Sequence, residues 1–170
     1  MTIEMAVDEL VAARVPDLAG RGVDLRLLAI DDVVFDERTV LKCRYACPAW
    51  GRRWTCNADT WGPAELIPLL RRYRAVLLLT GVDSRAVSSA ALEMERAVFA
   101  VGGRFALAVA ATYCSACAEC GYPELECRNK LDLRPESPLA GIDTLETLRR
   151  AGVPAERPEG WVRAAYVFVD

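Results

Sequence analysis

Seven cysteines and no histidine set the chemistry open to this chain of 170 residues. Four of the thiols, Cys114, Cys117, Cys120 and Cys127, stand close together in the pattern C-x2-C-x2-C-x6-C. Two-residue spacing lets successive thiolates in a tight loop face one centre. Three of them in a row suit three corners of an iron–sulfur cubane, and the bacterial ferredoxin run opens in the same way. That run closes with a gap of three and a proline. Here the last gap is six, and Arg128 follows Cys127. Cys127 therefore closes the cluster begun at Cys114 or reaches across to a neighbour, and the spacing fits both. The alternative metal is zinc, which favours two C-x2-C pairs but accepts four thiolates of this kind.

Cys43, Cys47 and Cys56 form a second group, C-x3-C-x8-C, further upstream. No fourth ligand is obvious. Three cysteines on a four-iron cluster leave one iron open to substrate, solvent or a non-cysteine ligand. The C-x3-C start is shared with the radical-SAM triad, but that triad continues with a gap of two, and no glycine-rich SAM motif follows here. In either partition the seven thiolates divide as four plus three, which points to two iron–sulfur clusters of the 4Fe–4S type. Without histidine, imidazole-ligated zinc, Rieske iron and histidine-paired nucleophiles are excluded. Sulfur-only ligation selects zinc, iron–sulfur clusters or cuprous copper.

The surroundings of the upstream group are basic and aromatic. Arg44, Arg52 and Arg53 lie within it. Guanidiniums beside a thiolate-bound cluster offset its charge, and they can hold a carboxylate or phosphate. Trp54 can stack a planar substrate. Arg44, Arg52, Arg53 and Trp54 are thus candidate binding residues for a small anionic substrate, against the plainer reading of a solvated basic face and a tryptophan-covered loop.

The composition narrows the partners. A net charge of −3 gives no general attraction to nucleic acid or acidic membrane. The acidic start lacks the basic n-region of a secretory signal, and no apolar run approaches the ~18 residues of a membrane span. The expected location is cytoplasmic, where thiols stay reduced and serve metal or reactivity rather than disulfides. The odd cysteine count agrees.

These loops need a scaffold. Residues 3–14 read as a helix ending before Pro16. Segments 25–36 and 39–43 read as strands. Residues 43–62 form a loop, and 63–73 a helix that Pro68 kinks or shortens. Strand 74–82 precedes a helix capped at Asp83 or Ser84 and stopped at Gly102–Gly103, with Val87, Ala91, Met94 and Val98 at helical spacing. Strand 104–113, the cysteine loop 114–141, helix 143–152 and strand 161–169 complete the chain. The order predicts an α/β or α+β single domain over residues 1–170, with a mixed or mostly parallel sheet. The βαβ unit at 74–113 predicts a right-handed crossover. Both cysteine groups then follow strand C-terminal ends, where ligands gather in open α/β sheets.

Several stretches together resemble a known family. They are "LKCRYACPAW" with Cys56, "LEMERAVFAVGGRFALAVAATYCSACAEC" with Cys127–Arg128, "RPE" at 134–136 and "GIDTLETLRRAG". Over about residues 40–153 their order resembles an uncharacterised family of predicted metal-binding proteins, domain of unknown function 2284. The resemblance implies metal at all seven cysteines and marks Arg128, Arg134, Pro135 and Glu136 as pattern positions without an assigned role. In the family two prolines tend to follow the third upstream cysteine. Asn57 and Ala58 stand there instead, which makes Asn57 or Asp59 candidates to approach the open iron.

Three functions remain. One is an iron–sulfur enzyme whose open iron takes a substrate. Another is a ferredoxin-like electron carrier or accessory subunit with a redox partner protein. The last is a structural zinc module.

Overall fold

A computed structural model describes residues 3–170. Among them, helices α1 (Ile3–Gly20), α2 (Val40–Ala46), α3 (Pro63–Leu70), α4 (Ser84–Ala100) and α5 (Thr144–Arg150) pack around one sheet. The sheet contains β1 (Asp24–Ala29), β2 (Ala75–Gly81), β3 (Leu107–Val109) and β6 (Arg163–Val169), in the order β1-β2-β6-β3. A separate small hairpin pairs β4 (Glu156–Arg157) with β5 (Gly160–Trp161).

The fold is a mixed α/β architecture, as the sequence predicts, but every pairing between strands is antiparallel. The expectation of a mixed or mostly parallel sheet is therefore overturned. β2 and β3 do run in the same direction and are joined by α4. They are not neighbours, because β6 lies between them and pairs with both. This is a split βαβ arrangement.

The reason for the misreading is visible in the core. Continuous apolar strands signal burial on both faces, which parallel sheets nearly always have. Here an antiparallel sheet has it too. On one face Leu77 and Leu79 of β2 and Val167 of β6 meet Val87, Met94 and Val98 of α4 and Val7 and Leu18 of α1. On the other, Val76, Leu78, Tyr166 and Phe168 meet Leu66 and Leu70 of α3, Leu148 of α5 and Ile142. Replacing one such residue, for example Leu78→Ala, is expected to cost about 2–5 kcal/mol.

Four local expectations are also corrected. The strand expected over 25–36 ends at Ala29, where a 3-10 turn at Ile30–Asp32 takes over. α1 runs through Pro16 to Gly20 rather than stopping before it. Proline there frees the carbonyl of Ala12, which is exposed and can be met by water, while buried Leu18 holds the last turn to the core. The strand expected at 39–43 is helix α2 instead. A short 3-10 turn at Glu37–Thr39 leads into it, capped by the Asp36 carboxylate, which accepts from the Arg38 amide at 2.9 Å. Thr39 then pins the entry by donating its hydroxyl to the Pro138 carbonyl at 2.8 Å. The long strand expected at 104–113 is regular only at 107–109.

Gly141 requires its missing side chain. Its φ is +75°, and a Cβ there would stand 2.6 Å from Ile67 of α3. Its carbonyl accepts from the Asp36 amide at 2.8 Å, which ties the segment after the cysteine loop to the segment before α2. No helix among the described residues is long and apolar enough to cross a membrane.

Candidate metal centre

The helix at 40–46 changes what C-x3-C means. Residues four apart on a helix lie on one face, so Cys43 and the helix-ending Cys47 share a side of α2. The chain then folds back through tight turns. The Trp50 amide donates to the Cys47 carbonyl at 3.2 Å, the Gly51 amide to the Cys56 carbonyl at 2.7 Å, and the Cys56 amide to the Arg53 carbonyl at 3.0 Å. Asn57 locks this loop. Its amide nitrogen donates to the carbonyls of Arg53 and Trp54 at 3.0 and 3.1 Å, and its oxygen accepts from the Asp59 amide at 2.9 Å. Asn57 is thus committed to backbone.

These turns bring Cys56 back beside Cys43, and both are buried. Between them lies a carboxylate. The Glu136 Oε1 accepts from the Cys43 Sγ at 3.5 Å and from the Cys56 Sγ at 3.6 Å. Glu136 is itself 7% exposed. The Thr55 hydroxyl stands 3.4 Å from the Cys56 sulfur. Cys47 lies near enough to interact electrostatically with both other thiols.

All three buried groups resist ionisation. Burial pushes the Cys56 thiol up to about 12, with the Glu136 charge adding to the shift and the Thr55 hydroxyl opposing it. Burial raises Cys43 as well, again helped by Glu136. Burial raises the Glu136 carboxyl above the usual range, and the two thiol hydrogen bonds work against that rise. Burying anions without a cation is costly, so burial shifts all three groups toward their protonated forms. A bound cation would take their place. The donor chemistry of the pocket therefore fits a thiophilic metal.

Glu136 is held by two neighbours in sequence. Arg134 pairs through both nitrogens of its fork with the Glu95 carboxylate of α4, the Nε–Oε2 contact being 2.6 Å. Glu95 is buried and also accepts from the Ala108 amide of β3 at 2.5 Å. The Pro135 carbonyl accepts from the Ala110 amide at 2.8 Å, and the Ser137 amide donates to the Ala110 carbonyl at 3.1 Å. The "RPE" stretch is thus a short strand-like segment fastened to the end of β3, and Glu136 projects from it. Glu95 and Glu136 were not among the candidate site residues read from the sequence. Only the "RPE" stretch within the family resemblance pointed to Glu136.

The downstream group has a different setting. Cys114, Cys117, Cys120 and Cys127 are all half-buried, on a segment without helix or strand. Asn129 gathers two of them: its side-chain nitrogen donates to the Cys117 sulfur at 3.1 Å and its backbone amide to the Cys127 sulfur at 3.4 Å.

The two groups are linked across the surface. The Arg53 guanidinium donates to the Cys114 carbonyl at 2.9 Å and stacks 4.8 Å from the Tyr113 ring centre. The Trp54 indole donates to the Leu125 carbonyl at 3.1 Å and meets Tyr122 edge-on at 5.0 Å. Arg44 lies over the Trp50 ring at 5.8 Å, and both line a cleft of about 250 Å³ beside α2. Arg52 is exposed. A cleft of about 310 Å³ runs past Tyr113, Cys114 and Ser115 to Arg85 and Arg134. A pocket of about 410 Å³ is lined mainly by apolar side chains such as Trp61, Leu69 and Phe105 and touches none of the cysteines. Among the described residues, no three Cys, Asp or Glu side chains converge as a ready-made site for a single ion.

The model of one family, predicted metal-binding protein (DUF2284), matches residues 26–167. The chain belongs to this family. Comparison with curated proteins and with solved structures gives no match. Membership makes predicted metal binding the property this chain shares with its family.

Proposed function

We propose that the chain is a two-cluster iron–sulfur protein. Cys114, Cys117, Cys120 and Cys127 would hold one 4Fe–4S cluster, and Cys43, Cys47 and Cys56 the other. The observation that carries the partition is Asn129, which donates to the sulfurs of both Cys117 and Cys127. That pairing supports grouping Cys127 with the downstream thiols, which would leave three cysteines upstream. The three cysteines at successive two-residue gaps support a cluster over zinc.

A bound cluster supplies one-electron transfer and, at an iron with an exchangeable ligand, Lewis-acid binding. The enzyme reading assigns that second role to the upstream centre. Its support is the guanidinium of Arg44 beside α2, which lines a cleft with Trp50 and can pair with a small anion, against the Glu37 and Glu65 carboxylates in the same lining. Arg53 and Trp54 join the two loops, so the centres would sit within one connected surface. In the carrier reading, the half-exposed downstream group faces a redox partner protein. Zinc at both sites remains the structural alternative.

Anaerobic purification tests the reading directly. The protein should be brown, with about eight iron and eight acid-labile sulfide per chain. Stoichiometric zinc without sulfide overturns it. Low-temperature EPR of the reduced protein, recorded with and without small carboxylates or inorganic phosphate, separates enzyme from carrier. A spectrum of the upstream centre that no such anion changes argues for the carrier.

A further inference from the structure

The upstream trio looks one ligand short in the sequence. In the fold, a fourth donor is present. We propose that Glu136 completes the centre of Cys43, Cys47 and Cys56, giving a three-cysteine, one-carboxylate ligand set. The proposal rests on the two-group reading above for its trio, but it concerns the ligand set and holds for an iron–sulfur cluster or for zinc.

Two glutamates buried side by side in the fold make the case. Glu95 has what a buried carboxylate needs: a forked arginine and a backbone amide. Glu136 is equally buried, yet its recorded side-chain partners are the thiols of Cys43 and Cys56. Thiols are weak donors, and two of them are poor recompense for a desolvated carboxylate. A shared cation satisfies all of them together. The lengths agree with such a use. A carboxylate oxygen and a thiolate sulfur on one tetrahedral ion stand ~3.5 Å apart, given metal–oxygen and metal–sulfur bonds of ~2.0 and ~2.3 Å. Around a cubane each donor would take its own iron, and the same residues would open outwards.

The position is also pre-set. Glu136 sits between Pro135 and Ser137, both bonded to Ala110, and next to Arg134, which is clamped to α4. Two separate elements, α2 through Cys43 and the 47–62 loop through Cys56, thus meet one oxygen of Glu136. This is the manner in which folds orient ligands rather than surface acids. Carboxylate is a harder and more exchangeable donor to iron than thiolate.

The test uses the full chain, loaded anaerobically with iron and sulfide, and compares Glu136→Gln and Glu136→Cys. Glu136→Gln keeps the shape and loses the anion. It should lower upstream metal affinity at least tenfold, with iron falling from about eight toward about four per chain while the downstream EPR signal persists. Glu136→Cys should hold the metal with a changed EPR spectrum. Unchanged iron content, affinity and spectrum in either variant overturns the proposal. Should both variants fail to fold, difference infrared spectra of wild-type protein labelled with 13C-glutamate decide. Metal loading should add a metal-bound carboxylate band; absence of that band overturns the proposal. If wild-type protein takes zinc without sulfide, the cluster reading fails by itself. Glu136 is then judged by whether Glu136→Gln loses the upstream zinc.

Discussion

Cys43 and Cys56 lie almost wholly buried on and beside a helix, with a carboxylate between them. Cys114, Cys117, Cys120 and Cys127 lie half-exposed on a segment that has no helix or strand, and the donors reaching them come from Asn129. One group is shaped by the surrounding fold. The other has neither helix nor strand to shape it. The difference teaches where to look for each property: selectivity and exchange at the built pocket, and metal-dependent order at the loop.

The sharpest way to break this contrast is to remove the metal. Without it, residues 114–129 have few apolar contacts to hold them, so they should open locally at low cost. Limited proteolysis of chelated protein should cut within 114–129 at least about tenfold faster than in loaded protein. The loop 47–62, fastened by Asn57 and by Cys56 in the core, should change much less. Equal protection of both loops with and without metal would dissolve the distinction. Replacing Cys117 with alanine should reproduce the effect on its own loop and leave the upstream centre loaded.

Next in size is the clamp behind Glu136. Glu95→Ala leaves the Arg134 guanidinium, which is mostly buried, without its partner. Breaking such a pair from one side costs about 3–5 kcal/mol. Urea denaturation of the metal-free protein measures that loss. The same change loosens the segment carrying Glu136, so upstream metal affinity should fall about 10–100-fold. The downstream centre should keep its affinity, and an equal drop at both centres would mean that the clamp supports the whole fold rather than one site.

The two regions were unequally legible in the sequence. Spacing alone marked Cys114, Cys117 and Cys120, because a loop group carries its logic in its gaps. The upstream pocket is assembled from three distant stretches, and gaps do not reveal that. Helix α2 was hidden by Val40 and Thr39, which favour strands; Asp36 and the Thr39–Pro138 bond decide otherwise. Glu136 is one of 24 acidic residues, and nothing in local pattern separates it from Glu124 or Glu126. Helix α4 and strands β2 and β6 were readable because long apolar periods leave little choice. Their pairing was not, since burial on both faces looks the same whether the neighbour runs parallel or antiparallel.

A smaller effect sets the two states of the upstream pocket against each other through pH. The ordinary thiol value is 9.0, and in the fold Cys56 is pushed up to about 12. Below about pH 9 the thiol is neutral in both folded and unfolded chains, and its contribution to stability is complete. As pH rises from about 9 to about 12, the unfolded chain loses its proton and the folded one keeps it. Metal-free stability should therefore fall across that window. Cys43 and Glu136, both raised, act in the same direction, Glu136 at lower pH. Metal binding should show the opposite trend, strengthening with pH because it must expel those protons. Urea titrations of metal-free protein at several pH values check the first sign, and Cys56→Ala should flatten the curve. Stability that rises with pH through this window would mean that the pocket holds anions without a metal.

The smallest change concerns the seam between the regions. Arg53 spans it with one hydrogen bond to the Cys114 carbonyl and one face against Tyr113. A single hydrogen bond contributes about 0.5–1.5 kcal/mol, and a cation stacked on an aromatic ring about 0.5–1 kcal/mol at a partly exposed site. Arg53→Ala should thus cost little more than about 2 kcal/mol, read by urea denaturation of loaded protein. Its more telling readout is independence. With Arg53 in place, metal removal from one centre should alter the EPR or absorption of the other, because the guanidinium that braces Cys114 leaves from the same turn that carries Cys56. Without it, the two centres should titrate separately. If they are already independent in the wild type, the seam is only surface packing, and the built pocket and the loop are two sites that share a scaffold.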